Sequence, residues 1–483
     1  FAEQRLTNAF VRARTSVAGT DLSFVGMGLD MPLAQNPGAL SRAQWDADPT
    51  QADTLSVQKR ARKEVRQMQL GLSARRAAFG MGELAAQVYG GTRTLFNPLT
   101  FAVVGIDRGQ GGAGLRLTVP TTIGSVVNRF SIGADGQWMN DARKNWANCN
   151  NVARVTATCP TVGVEQGNLS LDQREIVTSA GPYIRDEIEL GRWRATVGVR
   201  ADRMRFELKD SYVADSRDDS GVRTMGAVSP MIGLSARLSP VHAVYFNVAS
   251  AFETPTTTEL GNQSDGSAGL NRELEPQFST TYEIGAKGLV LGRVQYDVAL
   301  FNADIRDELI PFATTSSAGR MFYRNAGRTR RQGAEVALMT DVGRVTLNSA
   351  YSLSHFRFRA FETATAKYDG NAIPGIPEHQ LQLGATARFG MQYIVAEMVA
   401  KSKVWANDAN AAAAPGFAVF NLRTGGMTGR LSPVVAVQNL FDTRYVGSVA
   451  VNAAGASVAV TKFYEPAPRR TFYLGLSATT TPW

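Results

Sequence analysis

Apolar runs long enough to cross a bilayer as a helix are missing from this sequence. No stretch of about 18 uninterrupted apolar residues occurs, and the mean hydropathy is −0.14. Helical membrane spans are thereby excluded. A membrane β-barrel is not, because its strands alternate lipid-facing and inward-facing residues and so average to a polar composition. Cysteine is almost absent, with two in 483 residues, and the pair Cys149 and Cys159 has no histidine nearby to complete a metal site. A disulfide is the simplest reading; it implies an oxidising compartment and would stabilise a short loop by roughly 2–3 kcal/mol. Histidine is nearly as scarce, three in all, too few and too scattered for a catalytic set. Apolar residues at three- and four-residue spacing, the mark of an amphipathic helix, are not sustained anywhere. The net charge is +9, yet Lys and Arg are dispersed among Asp and Glu, which argues against nucleic acid as a partner. An initiator Met, a basic leader and an apolar leader core are also missing at Phe1, so the start is expected not to be the native one.

What the chain does have is period-two alternation. In Ala195-Thr-Val-Gly-Val-Arg-Ala-Asp202 the odd positions are apolar, in Val294-Gln-Tyr-Asp-Val-Ala-Leu300 the even ones, and Leu381-Gln-Leu-Gly-Ala-Thr-Ala-Arg388 repeats the arrangement. The sequence predicts an all-β chain of about nineteen strands. They begin near Arg5, Thr20, Arg60, Glu83, Gly111, Val126, Ser170, Trp193, Thr224, Val241, Phe278, Arg293, Arg324, Arg344, His379, Gln392, Phe417, Leu431 and Arg470. Short turns rich in Gly and Pro, such as those at 17–20, 79–82, 190–192 and 427–430, alternate without exception with long polar connections at 31–54, 138–169, 209–223, 252–277, 358–378 and 445–469. All long loops at one end and all short turns at the other is the pattern of a transmembrane antiparallel β-barrel, with extracellular loops and periplasmic turns. The first and last strands run in the same direction, so closure as an antiparallel barrel requires an even count. About three strands are therefore expected before Phe1, giving about twenty-two, a size whose lumen needs a plug.

The C-terminal half carries motifs in a telling order. Ala251-Phe-Glu-Thr-Pro-Thr-Thr-Thr-Glu-Leu260 is followed by Leu274-Glu-Pro-Gln277 and Tyr282-Glu-Ile-Gly285. Then come Asn325-Ala-Gly-Arg328 with Arg331-Gln-Gly-Ala-Glu335, then Ile373-Pro-Gly-Ile-Pro-Glu-His-Gln-Leu381, and last Val437-Gln-Asn-Leu-Phe-Asp-Thr-Arg-Tyr445 with a final strand ending in Trp483. From Gly226 onward this resembles the TonB-dependent receptors; the first half resembles them more loosely. Gly447-Ser-Val-Ala-Val-Asn452, Tyr464-Glu-Pro-Ala-Pro468 and Asp265-Gly-Ser-Ala-Gly-Leu-Asn271 are similar to the iron-complex branch that includes the pyrroloquinoline quinone receptor. The resemblance implies that residues 1–483 are the barrel domain in the outer membrane, truncated before its plug and its first strands. It implies active import of a ferric siderophore, another iron complex or pyrroloquinoline quinone, powered by a TonB-type energy-coupling protein through the missing plug. No cofactor, catalytic residue or metal ligand is implied. Anionic lipopolysaccharide around the barrel, or an anionic cargo, is the natural counterpart of the positive charge.

Cargo contacts should come from the loops and upper lumen, which meet an arriving solute first. Phe252, Glu253, Thr254 and Asn271 lie in one predicted loop and Tyr445, Asn452 and Tyr464 in another; aromatics can stack on a planar quinone or catecholate, and Arg can pair with carboxylates. Packing within the loops explains the same residues equally well. In the strand after Arg324, Val336 and Leu338 set the outer face, which places Arg330 and Arg328 outward at the level of lipopolysaccharide phosphates and turns Arg331 and Glu335 into the lumen. For Arg331 the simpler reading is a wall charge bonded to its neighbours. Gly109-Gln-Gly-Gly-Ala-Gly114 matches a dinucleotide-binding spacing but precedes a strand rather than a helix, and reads as a loop end. His242, His355 and His379 read as interface or loop residues. A passive porin is the rival reading, an outer-membrane hydrolase the distant third; several long loops and a count above the usual sixteen or eighteen strands weigh against the porin.

Overall fold

Tight turns set the architecture. Val17 pairs with Thr20 across Ala18 and Gly19, both at positive φ (49° and 71°), the backbone of a two-residue turn whose twist matches that of the flanking strands. Gly191, between paired Leu190 and Trp193, has φ 57°; a side chain there would meet the left-handed penalty that glycine escapes. The hairpins so closed join into one nineteen-stranded sheet. In this computed structural model all residues are described except 79, 81, 262, 264, 266–268, 316–319, 427–429 and 479–483. The turns at 79–82 and 427–430, the 265–271 segment, the end of the last strand and Trp483 therefore lie partly or wholly outside the described residues.

The sheet strands are β1 Gln4–Val17, β2 Thr20–Gln35, β3 Arg62–Ala78, β4 Gly82–Pro98, β5 Ala102–Ile123, β6 Val126–Asn148, β7 Gln166–Leu190, β8 Trp193–Asp210, β9 Gly221–Ser239 and β10 His242–Glu253. They continue as β11 Gln277–Val290, β12 Val294–Ala313, β13 Met321–Val342, β14 Val345–Ala360, β15 His379–Phe389, β16 Gln392–Lys401, β17 Phe417–Gly426, β18 Leu431–Gln438 and β19 Thr471–Ala478. Each pairs antiparallel with its sequence neighbour, an up-and-down meander. Among the described residues β1 pairs only with β2 and β19 only with β18, so the sheet is open at both edges.

Registration separates two faces. Val197, Ile232 and Val248 stand opposite one another on β8, β9 and β10, and one step along, Thr196, Gly233 and Asn247 do so on the other face. Val197 and Ile232 are about half exposed, at 51% and 53%, and the same holds for Leu72, Val88, Leu115, Ile284 and Leu300. A continuous apolar outer face of this size is a surface built for hydrocarbon, not water. The alternation expected for 195–202 and 294–300 is present in β8 and β12.

Two expectations about the upper strands are corrected. The glycine run 109–114 lies in the middle of β5, paired with β4 and β6; Trp138 packs against Gly109 at ordinary contact distance, and at Gly112 glycine makes room for Tyr89, where an added methyl would be 2.7 Å from the ring. Once that run is strand, the connection between β4 and β5 shrinks to 99–101, so long and short connections do not alternate without exception. Likewise 31–35, 138–148 and 166–169 are strand rather than loop. Among the described residues the helical elements lie in loops: Arg42–Ala47 and Thr54–Gln58 after β2, a 3-10 turn Val213–Asp215, and Thr257–Leu260 after β10.

Candidate functional site

Loops at the end opposite the tight turns form a cross-tied canopy. Arg62 at the start of β3 grips Glu165 with two guanidinium nitrogens (2.6 and 2.9 Å), and Lys59 Nζ donates to the carbonyls of Asn148 and Asn150, joining loop 36–61 to loop 149–165. Cys149 and Cys159, their Cα atoms 5.7 Å apart, are disulfide-bonded in the latter. On its other side loop 36–61 meets loop 439–470 through Leu40 and Tyr464, which form an antiparallel bridge, and through the Lys462–Asp53 ion pair. Trp45, Ala406, Ala414, Val446, Phe463 and Tyr464 bury an apolar cluster drawn from three loops.

A hub of polar groups fixes the next sector. Asp408 is buried; its backbone N–H donates to Asn452 Oδ1 (2.9 Å) and its carboxylate accepts from Asn452 Nδ2 (3.0 Å) and pairs with Arg324 of β13 (3.5 Å). Asn452 Nδ2 also donates to the Pro311 carbonyl and Asn371 Nδ2 to that of Asp408. The Arg324 guanidinium lies 4.6 Å from the Phe312 ring and 5.2 Å from that of Phe361. Burial pushes the Asp408 carboxyl above its ordinary value, against the lowering effect of Asn452 and Arg324. A buried charge with this many partners fixes geometry more than it adds stability.

Loop 254–276 turns inward. Its Leu260 and Leu274 are buried against Phe206 and Met225 on the inner faces of β8 and β9, and its helix Thr257–Leu260 is capped reciprocally by Thr256 and Glu259. Arg143 Nη1 of β6 approaches Thr258 Oγ1 at 3.5 Å and pairs with Glu175 at 3.2 Å; beside it Arg108 forks onto the fully buried Asp141 at 2.7 and 2.6 Å. One loop folded inward is what a porin also has, but the connections 36–61, 254–276 and 439–470 are all long. The nineteen strands also weigh against the porin, because porins close with sixteen or eighteen.

Beneath loops 36–61 and 439–470, on the inner wall of β16–β19, lies a cavity of about 620 Å³ lined by Lys401, Phe417, Asn421, Gln438, Tyr445 and Arg469 among others. The Tyr445 ring packs on Phe417 with centroids 4.4 Å apart, and burial raises its hydroxyl's pKa. Arg469 is held by Asp442, whose carboxyl is lowered to about 2 by hydrogen bonding to Arg469. Lys401 makes no ion pair among the described residues. The chamber thus offers two tilted aromatic rings, amide donors and the cations Lys401 and Arg469 against the carboxylate Glu465, which accepts from Ser448, a combination suited to an anionic, oxygen-rich solute.

Of the residues singled out from sequence, Tyr445 alone lines this cavity. Tyr464 is buried in a short ribbon, Tyr464–Pro466, paired with Val446–Val449; Asn452 belongs to the hub. Phe252 and Glu253 end β10 rather than lying in a loop. Phe252 stacks on Phe278 on the outer wall (6.2 Å between centroids), the face of Phe246 and Ile284, because strand alternation continues that far. Glu253 accepts from Gln277 Nε2 at 2.6 Å, Thr254 Oγ1 touches Met204 Sδ, and Asn271 shapes its own loop by accepting from Glu273 N–H through its side chain and from Arg223 through its carbonyl. Arg331 faces inward, bonded to Glu308 at 2.5 Å and lying over Phe356, a wall charge. Glu308 reaches that face because Asp307 before it has φ 58°. His242, His355 and His379 pair with Tyr296, Glu378 and Tyr351 respectively, and among the described residues His355, though beside a carboxylate, has no serine hydroxyl as a bonded partner. Lys401, Asp408 and Arg324 were not singled out; only the polar run Asn407-Asp-Ala-Asn410 inside an alanine-rich segment could have signalled the hub.

Comparison with known proteins agrees with this geometry. The family described as TonB dependent receptor-like, beta-barrel matches residues 6–440. The ferrioxamine B receptor of Salmonella typhimurium (strain SL1344) is 23% identical over 376 residues, 71% of this chain and 49% of that protein. The metal-pseudopaline receptor CntO of Pseudomonas aeruginosa (strain UCBPP-PA14) is 26% identical over 183 residues, 37% of this chain and 24% of that protein. The chain thus spans a quarter to a half of these curated relatives. Among solved structures, the unliganded ferric citrate transporter FecA superposes with a TM-score of 0.80 at 18% identity, covering 99% of this chain and 70% of that one, and the siderophore receptor PiuA of Acinetobacter baumannii with 0.77 at 14%, covering 99% and 74%. With the matched span, the meander and the loop canopy in agreement, the chain belongs to the TonB-dependent receptor family of outer-membrane β-barrels.

Proposed function

We propose that this barrel imports an anionic metal chelate, of the siderophore class, captured in the chamber beneath loops 36–61 and 439–470. The observation that carries the reading is the conjunction of Lys401, the Tyr445–Phe417 wall and the amides Asn421 and Gln438 in one cavity. A chelate whose donor oxygens retain negative charge meets the lysine and amides; its planar or apolar portion meets the rings. The relatives named for ferrioxamine and metal-pseudopaline support the cargo class. Pyrroloquinoline quinone, a planar quinone bearing carboxylates, meets the same groups and is the second cargo. Energy arrives through a plug and a TonB-type partner, and lipopolysaccharide surrounds the outer leaflet.

Titrating the full-length receptor with ferric siderophores and pyrroloquinoline quinone, following intrinsic fluorescence, tests the reading. Submicromolar binding of a chelate that weakens in Lys401→Gln supports it. Binding of none of the panel, or binding indifferent to Lys401 and Tyr445, rejects it.

A further inference from the structure

The outer wall of β12–β14 gathers arginines where an outer-membrane barrel meets the head groups of its outer leaflet. On β12 the outward residues run Val298, Leu300, Asn302, Asp304, Arg306; on β13 they run Leu338, Val336, Ala334, Gln332, Arg330, Arg328. Both strands change from apolar to charged at the same height. Tyr282 of β11, registered with Asn302 in the last uncharged row, marks that boundary, and Tyr351 of β14 lies two outward rows below it beside Val336, within the band of an aromatic girdle.

Five guanidinium groups lie above the boundary, and two of them are neutralised. Arg330 is bonded to Asp304 at 2.6 Å and Arg357 to Glu378 at 3.3 Å. The remaining three, Arg306, Arg328 and Arg359, are exposed and make no ion pair among the described residues. Arg306 and Arg328 stand directly opposite each other in register, and Arg359 is the extra residue of the bulge where β14 passes Arg328. Like charges in directly opposed positions destabilise a sheet unless an anion lies between them. Arg306 is further fixed over the Phe278 ring at 4.7 Å, which in turn stacks on Phe252, so its guanidinium is held in place rather than free to swing away.

We propose that Arg306, Arg328 and Arg359 form a binding site for the phosphate of an outer-leaflet glycolipid, with lipopolysaccharide as the occupant. Arginine forks match phosphate oxygens in pairs, and the acyl chains of such a lipid would run down the apolar wall of Leu300, Val336 and Leu353 directly below. The site rests on the outer-membrane reading of this face. It deepens that reading by naming residues, one lipid class and the group recognised. The bound lipid would hold the rims of β12–β14 together beneath the hub in which Arg324 and Asp408 meet.

The test uses full-length receptor purified in detergent from outer membranes, as wild type and as the triple variant Arg306→Gln/Arg328→Gln/Arg359→Gln. A control triple variant, Arg76→Gln/Arg129→Gln/Arg344→Gln, makes the same charge change near the opposite end. Heat-dependent gel mobility verifies a folded barrel in each. Bound glycolipid is measured by native mass spectrometry after incubation with lipopolysaccharide or its dephosphorylated form. Retention falling about tenfold or more in the first triple variant, unchanged in the control, and absent for the dephosphorylated lipid is the expected result. Equal retention by wild type and the first variant, or equal retention of both lipids, overturns the site. A wild-type protein found in the outer membrane yet holding no glycolipid overturns the site alone, whereas one that never reaches that membrane overturns the outer-membrane reading as well.

Discussion

Leu40 and Tyr464 exchange backbone hydrogen bonds at 2.7 and 3.0 Å, although one follows the second strand of the sheet and the other precedes the last. The open sheet therefore curves until loops from its two ends touch, and it is this contact that roofs the chamber containing Lys401 and Tyr445. Leu40 is fully buried and its N–H donates to Tyr464. Leu40→Pro removes that donor, and proteolysis of loop 36–61 is expected to accelerate several-fold while the barrel stays folded on a gel. Unchanged cleavage would show that Lys462–Asp53 and the apolar cluster suffice to hold the roof.

Asp408 gives the hub a pH dependence. Its folded-state pKa is raised by burial, so its contribution to stability is fully present below the ordinary carboxylate value near 3.8 and is lost as pH rises through the folded value. Amide exchange in loops 402–416 and 361–378 is expected to slow, after correction for intrinsic rates, as pH falls through that window in the wild type, and to lose the dependence in Asp408→Asn. Asp408→Ala, by contrast, leaves Arg324 without its carboxylate and should destabilise the canopy by about 3–5 kcal/mol.

Asp442 acts in the opposite sense. Hydrogen bonds from Arg469 and the Arg470 backbone hold its carboxyl at about 2, so the tie it makes is present above the ordinary carboxylate value and is lost only as pH falls through about 2. Loop 439–470 should keep its protection down to that acidity; Asp442→Asn should lose protection at neutral pH, read by proteolysis.

Inside the wall, Asp141 is fully buried and matched by Arg108. Arg108→Met strands that carboxylate and is expected to lower barrel stability by about 3–5 kcal/mol in denaturant unfolding, whereas replacing both partners by apolar residues should cost much less. Equal losses in the single and double variants would contradict the pairing.

Strands were legible because each fact about them is local. Turn chemistry and alternation located all nineteen, and first residues such as Thr20, Val126, Trp193, His379, Gln392, Phe417 and Leu431 are those of the structure. The largest displacement, β5 beginning at Ala102 rather than near Gly111, arose because a glycine run looks like a loop until the rings of Tyr89 and Trp138 on neighbouring strands are seen to occupy the space above it. The site was much less legible. Lys401 and Tyr445 are far apart in sequence and meet only because Lys401 pairs with Phe417 on the next strand and Tyr445 packs on that ring, while Tyr464 and Asn452, which look like ligand contacts in a polar loop, are consumed by loop-to-loop bonds that no local pattern announces. Phe252 was misplaced for a simpler reason: β10 runs two residues further than its motif suggested, and alternation then turns its ring outward.

The most direct measurement is equilibrium binding of ferric siderophores to full-length receptor, comparing wild type with Lys401→Gln, Tyr445→Ala and the outer-wall variant Phe252→Ala. Loss of affinity by about tenfold or more in the first two, with Phe252→Ala unchanged, is what the chamber requires. Affinity indifferent to Lys401 and Tyr445 but lost in Phe252→Ala would contradict it and return the cargo site to the loop after β10.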